Sequence, residues 1–327
     1  MRKIPKQDDI KYFYKRLDQQ DIINKVPKGD YIAVFGTSHT YGLCDRGEDG
    51  RDGDLLDEDG MWVFSLGKKL GIEVFNVSMP GNYNINMVRQ MTDFFELPKE
   101  VISRCKLIIA EPRVGDTAGI MCTDVIEELD VSVKELNQVL TNSYAFNVLN
   151  KKQYIWETNV YAQFTNPASQ NMTTEDYARR LIGNVGHYED DIPPPSVLKN
   201  VTNYIDHHTR TSAISISSLL RDYENIRTMK QFASMANIPF MWFCFDSQNI
   251  LDDEEVALCE KIYTETSTIF DARISKLELG VVDEYELRFG EDALYGEQCN
   301  CGHFSEVVNN WVSNMVHKQI IELGYEL

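Results

Sequence analysis

Apolar and polar positions alternate along the chain in two distinct rhythms. Tyr31-Ile-Ala-Val-Phe35 is a short β-rich run closed by Gly36. Trp62, Leu66 and Leu70 then repeat at helical spacing, and Gly71 is placed to stop that helix. Glu73-Val-Phe-Asn-Val77 predicts a second strand, closed by Met79-Pro80-Gly81. A helix is expected over 84–95, ahead of Pro98, and a third strand over Lys106-Leu-Ile-Ile-Ala110, ended by Pro112. Strands and helices in this alternation specify a parallel sheet with helices on both faces.

After Gly115 the rhythm is lost. Residues 116–210 are rich in Asn, Thr and Tyr and include the break Glu189-Asp-Asp-Ile-Pro-Pro-Pro195, so we read this stretch as an insertion or cap, partly helical. The pattern returns with Ile216, Leu219, Leu220, Tyr223 and Ile226 on one helical face. Ile238-Pro-Phe-Met-Trp-Phe-Cys-Phe245 reads as a buried strand, and a last helix from about Ser305 carries Val308, Trp311, Val312 and Met315 together. The expected organisation is an N-terminal segment (1–29), the first part of an α/β domain (30–115), the insertion (116–210) and the second part of the same domain (211–327). No repeat and no low-complexity tract is present.

Composition narrows the function. The 327 residues are 43% hydrophobic and 25% charged, which is ordinary for a globular chain. Thirty-two basic against 51 acidic residues give a net charge of −19. Phosphate neutralisation needs clustered Lys and Arg, so a nucleic-acid partner is not expected, nor is an anionic membrane surface. No run approaches the ~20 apolar residues of a membrane span. Met1 to Asp9 is charged and lacks the apolar stretch of a secretory signal, so synthesis in the cytoplasm is expected. The seven scattered cysteines (44, 105, 122, 244, 259, 299 and 301) then read mostly as reduced thiols.

Candidate chemistry gathers where open α/β sheets place their ligand crevice, beyond the C-terminal ends of the strands. Gly36-Thr-Ser-His-Thr-Tyr-Gly42 follows the first strand, Asn76-Val-Ser-Met-Pro-Gly81 follows the second, and Asn300-Cys-Gly-His-Phe-Ser305 precedes the last helix. A serine in a tight strand-to-helix turn has its hydroxyl near backbone N–H groups that stabilise an oxyanion. A histidine from the far end of the chain can serve as its base.

In these three blocks the chain resembles the SGNH (GDSL) hydrolase family. The family's first block, Gly-Asp-Ser-x-Thr-x-Gly, is similar to residues 36–42. Its second, an Asn followed by Gly, is similar to Asn76 to Gly81, and its last, Asp-x-x-His, to Asn300-x-x-His303. The resemblance covers about 31–115 and 212–325 and implies a three-layer α/β/α, flavodoxin-like domain with a parallel sheet and a large insertion. It implies an esterase or deacylase with Ser38 as nucleophile and His303 as base, Asn300 standing where the family has the orienting aspartate. The N–H groups of Ser38 and Gly81 would form the oxyanion hole. Two departures stand out. After the third strand the family supplies an Asn to that hole, whereas this chain reads Glu111-Pro-Arg113, so Arg113 takes the position of an oxyanion or substrate-anion ligand. Losing one oxyanion donor typically costs about 10²–10³ in rate, and replacing the aspartate of a serine protease by Asn costs roughly 10⁴.

Other motifs add less. His39 and Asn82 are expected at the substrate side of the crevice, with an exposed turn histidine as the simpler account of His39. His187, His207 and His208 read as surface or packing residues. Cys299-x-Cys301-x-His303 lacks the usual C-x₂₋₄-C spacing and a fourth ligand. The acidic stretch from Asp45 to Gly60 fails the EF-hand pattern, since positions 3 and 12 are Gly47 and Leu56. Gly36 to Gly42 is not a P-loop, lacking a following Lys-Ser/Thr pair. The insertion aromatics (Tyr144, Phe146, Tyr154, Trp156, Tyr161, Phe164) suit either stacking on sugar rings or a small core of their own.

The expected function is therefore ester hydrolysis, with an O-acetylated carbohydrate or another acylated small molecule as substrate and with no cofactor and no metal. The alternative is a catalytically weakened domain used for glycan or protein binding. The phrases Gly-His-Phe-Ser and Pro-Gly-Asn-Tyr are similar to versions carried by tailed phages, which under that alternative implies a virion component with assembly partners. Acyl transfer would use the same residues if water were excluded.

Overall fold

The computed structural model describes residues 25–42, 60–78, 82, 84–113, 214–245, 281–290, 303–325 and 327, the backbone of three strands within 117–161, and residues 173, 175, 199, 202, 203, 261 and 273. In chain order its elements are β1 (Tyr31–Phe35), α1 (Ser38–Tyr41), α2 (Trp62–Leu70), β2 (Glu73–Asn76), α3 (Asn84–Phe95), α4 (Lys99–Ile102), β3 (Cys105–Ala110), β4 (Thr117–Val125), β5 (Ser143–Asn147), β6 (Gln153–Tyr161), α5 (Ile214–Met235), β7 (Phe240–Trp242), α6 (Val281–Phe289) and α7 (Glu306–Glu322). The chain divides into two units, one of residues 1–114 with 221–327 and one of residues 115–220.

The first unit is built on a parallel sheet of order β2-β1-β3-β7. Strands buried on both faces read as unbroken apolar runs, as β1 does throughout and β3 does from Leu107 onward. Side-chain alternation divides them between two layers. Ile32, Val34, Leu107, Ile109 and Met241 pack with Trp62 and Leu66 of α2, Val281 and Tyr285 of α6, and Val308, Val312, Val316 and Ile320 of α7. On the opposite face Phe94 of α3 meets Tyr31 and Phe35 edge-on, at ring distances of 6.5 and 5.8 Å. Phe95 reaches Phe232 of α5 at 6.2 Å, and Tyr223 of α5 meets Trp242 at 6.5 Å. The result is the expected three-layer α/β/α architecture.

Local signals set the helix ends. Gly71 stops α2 in the left-handed region, at φ 67°. Ser305 caps α7, its Oγ accepting from Val307 N at 3.2 Å. Asn309 on α7 ties two helix starts together. Its Oδ1 accepts the Trp62 N–H at 3.2 Å, while its Nδ2 donates to the Phe304 and Ser305 carbonyls at 3.1 and 3.0 Å.

Two expectations differ from the structure. The ladder of β7 covers only Phe240–Trp242 of the apolar run 238–245. Pro239 has no N–H to donate, although its carbonyl accepts from Ile108 N at 2.9 Å. In the second unit, the stretch read as partly helical holds an antiparallel sheet of order β4-β6-β5. Its register sets Ile120 opposite Thr158 and Trp156 opposite both Cys122 and Ala145. These strands mix polar and apolar positions without strict alternation, which is why no strand period stands out in the sequence. Among the described residues, no helix is long and apolar enough to cross a membrane.

Candidate active site

Because β1, β2, β3 and β7 run in the same direction, the residues following Phe35, Asn76, Ala110 and Trp242 share one edge of the sheet. The first turn there is formed by Gly36 and Thr37, with Ser38 opening the single helical turn of α1. Tyr41 N donates to Thr37 O at 2.9 Å, and Gly42 closes the turn at φ 87°, in the left-handed region that disfavours side chains. Gly36 is required for a different reason. A Cβ there would lie 2.6 Å from Thr40 Cβ and 2.9 Å from Glu111 Oε2.

That contact leads to a residue the sequence reading passed over. Glu111, directly after β3, is fully buried beneath the turn. Its Oε2 accepts from Thr37 N at 2.6 Å, from Thr37 Oγ1 at 2.8 Å and from Thr40 Oγ1 at 3.1 Å. Thr40 Oγ1 in turn accepts from Trp62 Nε1 at 3.3 Å. Loss of hydration on burial pushes the Glu111 carboxyl up to about 8, against the opposing pull of the Thr37 and Thr40 hydrogen bonds and the Arg113 charge. An acidic residue directly after the apolar run Leu107–Ala110, at the crevice edge, is the signal the sequence offers.

Neutral carboxamides brace the same turn and its neighbouring segments. Asn76 Nδ2 donates to Thr40 O at 3.1 Å, and its Oδ1 accepts from the Ser78 N–H and hydroxyl. Asn82 Nδ2 donates to Gly36 O and to Gln90 Oε1, both at 2.9 Å, and Asn82 Oδ1 accepts from Asn86 Nδ2 at 2.9 Å. Gln90 Nε2 reaches Val77 O at 3.3 Å. Asn84 holds the backbone of Arg113, accepting from its N–H at 3.0 Å and donating to its carbonyl. Asn82 thus ties the Gly36 turn, through Nδ2, to Asn86 and Gln90 of α3.

The histidines meet on the other side of the turn. The His39 ring lies 5.0 Å from that of His303, tilted by 51°. It also stacks on Phe245 and Phe304, each at 5.0 Å, which makes His39 a buried residue rather than an exposed turn histidine. His303 immediately precedes Phe304 and the Ser305 cap of α7, so that helix start fixes its place in the chain.

Of the expected site residues, Ser38, His39, His303, Asn82 and Arg113 all lie in the first unit. Gly81 and Asn300 lie outside the described residues, as do Cys299, Cys301, His187, His207, His208, Phe164 and nearly all of the acidic stretch 45–60. Among the described residues no group of three or more His, Cys, Asp or Glu side chains is placed to hold a metal ion.

No protein-family model and no curated protein matches the chain. Among solved structures it is similar to a lipase/acylhydrolase from Enterococcus faecalis, at 12% identity and a TM-score of 0.27, over 90% of this chain and 96% of that one. It is also similar to a catalytic mutant of Axe2, an acetylxylan esterase from Geobacillus stearothermophilus, at 13% identity and a TM-score of 0.28, over 89% and 94%. At these values the fold rests on the chain's own strand order and layers.

Proposed function

We propose that the chain is a serine ester hydrolase acting on an acylated substrate, with an O-acetylated carbohydrate as the substrate class. The observation that carries this reading is the 5.0 Å approach of the His303 ring to His39, the residue next to Ser38, across a sequence separation of 264 (303 minus 39). Ser38 Oγ attacks the acyl carbonyl and His303 accepts its proton. His303 then protonates the departing alkoxide, leaving an acyl-Ser38 ester. Water, deprotonated by His303, attacks that ester; the acid leaves and Ser38 regains its proton. The N–H groups of Ser38 and Gly81 and the Arg113 guanidinium stabilise the tetrahedral oxyanion. Asn300 orients His303, and His39 and Asn82 form the substrate side, Asn82 by fixing the Gly36 carbonyl. No cofactor is invoked.

The test is labelling with a fluorophosphonate probe, read by peptide mass spectrometry, together with hydrolysis of acetylated glycans. Label on Ser38 and ester turnover, both lost in Ser38→Ala and His303→Ala, are expected. A folded chain without label or turnover would sink the hydrolase reading. A second reading, a catalytically weakened domain that binds a glycan or protein, for example in a virion, is favoured by a Ser38 that is only 6% exposed.

A further inference from the structure

We propose that Glu111 is the positioning residue of the nucleophile, its carboxyl group clamping the turn that carries Ser38 through hydrogen bonds from Thr37 and Thr40. The inference rests on the reading of Ser38 as nucleophile and adds a pH-dependent control to it. The bonds bracket Ser38 on both sides: the Thr37 N–H and hydroxyl precede it, and the Thr40 hydroxyl follows it. A purely apolar side chain at 111 would leave the buried Thr37 N–H without an acceptor. Glutamine would fill the same space and accept the same N–H, so what glutamate adds is a titratable proton.

The surroundings favour the neutral form. From α1 and the Thr37 that precedes it come the Thr37 and Thr40 groups, with His39 turned into the aromatic cluster with Phe245, Phe304 and His303. From α2 comes the Trp62 N–H on Thr40. Asn76 and Asn82, from β2 and the segment before α3, are uncharged. Arg113 is the charge whose field reaches the carboxyl among the described residues, and burial outweighs it. A neutral Glu111 is also what the chemistry requires, because an anion beside the turn opposes negative charge developing on the substrate oxygen. Ionisation of Glu111 therefore slows reaction at Ser38 as pH rises.

Rates of Ser38 labelling by the fluorophosphonate probe would be compared across pH in the wild type, Glu111→Ala and Glu111→Gln, alongside the Thr37 amide signal in ¹⁵N-threonine-labelled protein. Glu111→Ala is expected to slow labelling about 10- to 100-fold through misplacement of the nucleophile. Glu111→Gln should recover most of that loss and abolish the alkaline decline expected of the wild type. Wild-type labelling in Glu111→Ala, or superimposable pH profiles for wild type and Glu111→Gln, would overturn the proposal; the second comparison holds even if the alanine variant does not fold. If the wild type never labels, the hydrolase reading has failed, and the amide decides the clamp. A Thr37 signal that titrates in the wild type and not in Glu111→Gln supports it, and one that titrates in neither overturns it.

Discussion

Replacing Glu111 by Gln removes one proton-binding site from the folded core while keeping its shape and its acceptor for Thr37 N. The carboxyl stands at about 8 in the folded chain against an ordinary value of 4.5. Between those values the unfolded chain has released a proton that the folded chain retains. The free energy of unfolding therefore falls as pH rises, by about 1.4 kcal/mol per pH unit. The contribution is complete below 4.5 and gone above about 8, and integrating both titrations gives a loss of about 4 kcal/mol between roughly pH 5 and pH 9. Urea unfolding followed by tryptophan fluorescence measures it directly, since Trp62 and Trp242 are fully buried in this unit and Trp62 is bonded to Thr40. Subtracting the Glu111→Gln stability from that of the wild type at each pH cancels every other titrating group. The difference should fall steeply to about pH 8 and then level off. Parallel curves for the two proteins would refute the assignment of a proton to Glu111 in the folded state.

Three further outcomes follow from the packing. Asn309→Ala strands the Trp62 N–H and the Phe304 carbonyl, while the Ser305 carbonyl keeps its bond from the backbone N–H of residue 309, and should cost about 1–3 kcal/mol in urea unfolding; a cost near zero would mean the side-chain bonds contribute nothing. Gly36→Ala forces a methyl group against Thr40 and Glu111 and should destabilise by about 1–3 kcal/mol while slowing Ser38 labelling; unchanged stability would show that the turn relaxes freely. Burial pushes the Cys105 thiol from 9.0 up to about 12. Iodoacetamide mapping of the folded chain should find it roughly 10³-fold slower than a free peptide thiol, the ratio of their thiolate fractions. Labelling at the free-thiol rate would contradict its burial.

What could be read from the chain alone was what local chemistry decides. The strand 31–35, the helix 84–95 before Pro98 and the Ser305 cap each carry their own signal within a few residues. The helix Val281–Phe289 carries little signal of its own because it is only nine residues long and Asp283, Glu284 and Glu286 interrupt its apolar positions. The sheet within 117–161 went unread because its strands lack an alternating period. At the site, Ser38 and His303 were legible as motif residues. The role of Glu111 was not, because its partners Thr37 and Thr40 stand 74 and 71 positions away. His39 looked like a surface residue for the same reason: Phe245 and Phe304, which bury it, arrive from distant segments.

The strand order β2-β1-β3-β7 also dictates a timetable for synthesis. The outer edge of β3 pairs with β7, and 130 residues separate Ala110 from Phe240. At typical translation rates of about 5–20 residues per second, that edge waits roughly 6–26 s for its partner. The sheet face that α7 covers waits longer still, until residues 306–322 have been made. A nascent chain therefore presents both an unpaired strand edge and a bare apolar face during most of its production, the combination that invites misassembly with neighbouring chains. Chaperone supply and translation speed, more than the stability of the finished fold, should govern how much folded protein a cell recovers.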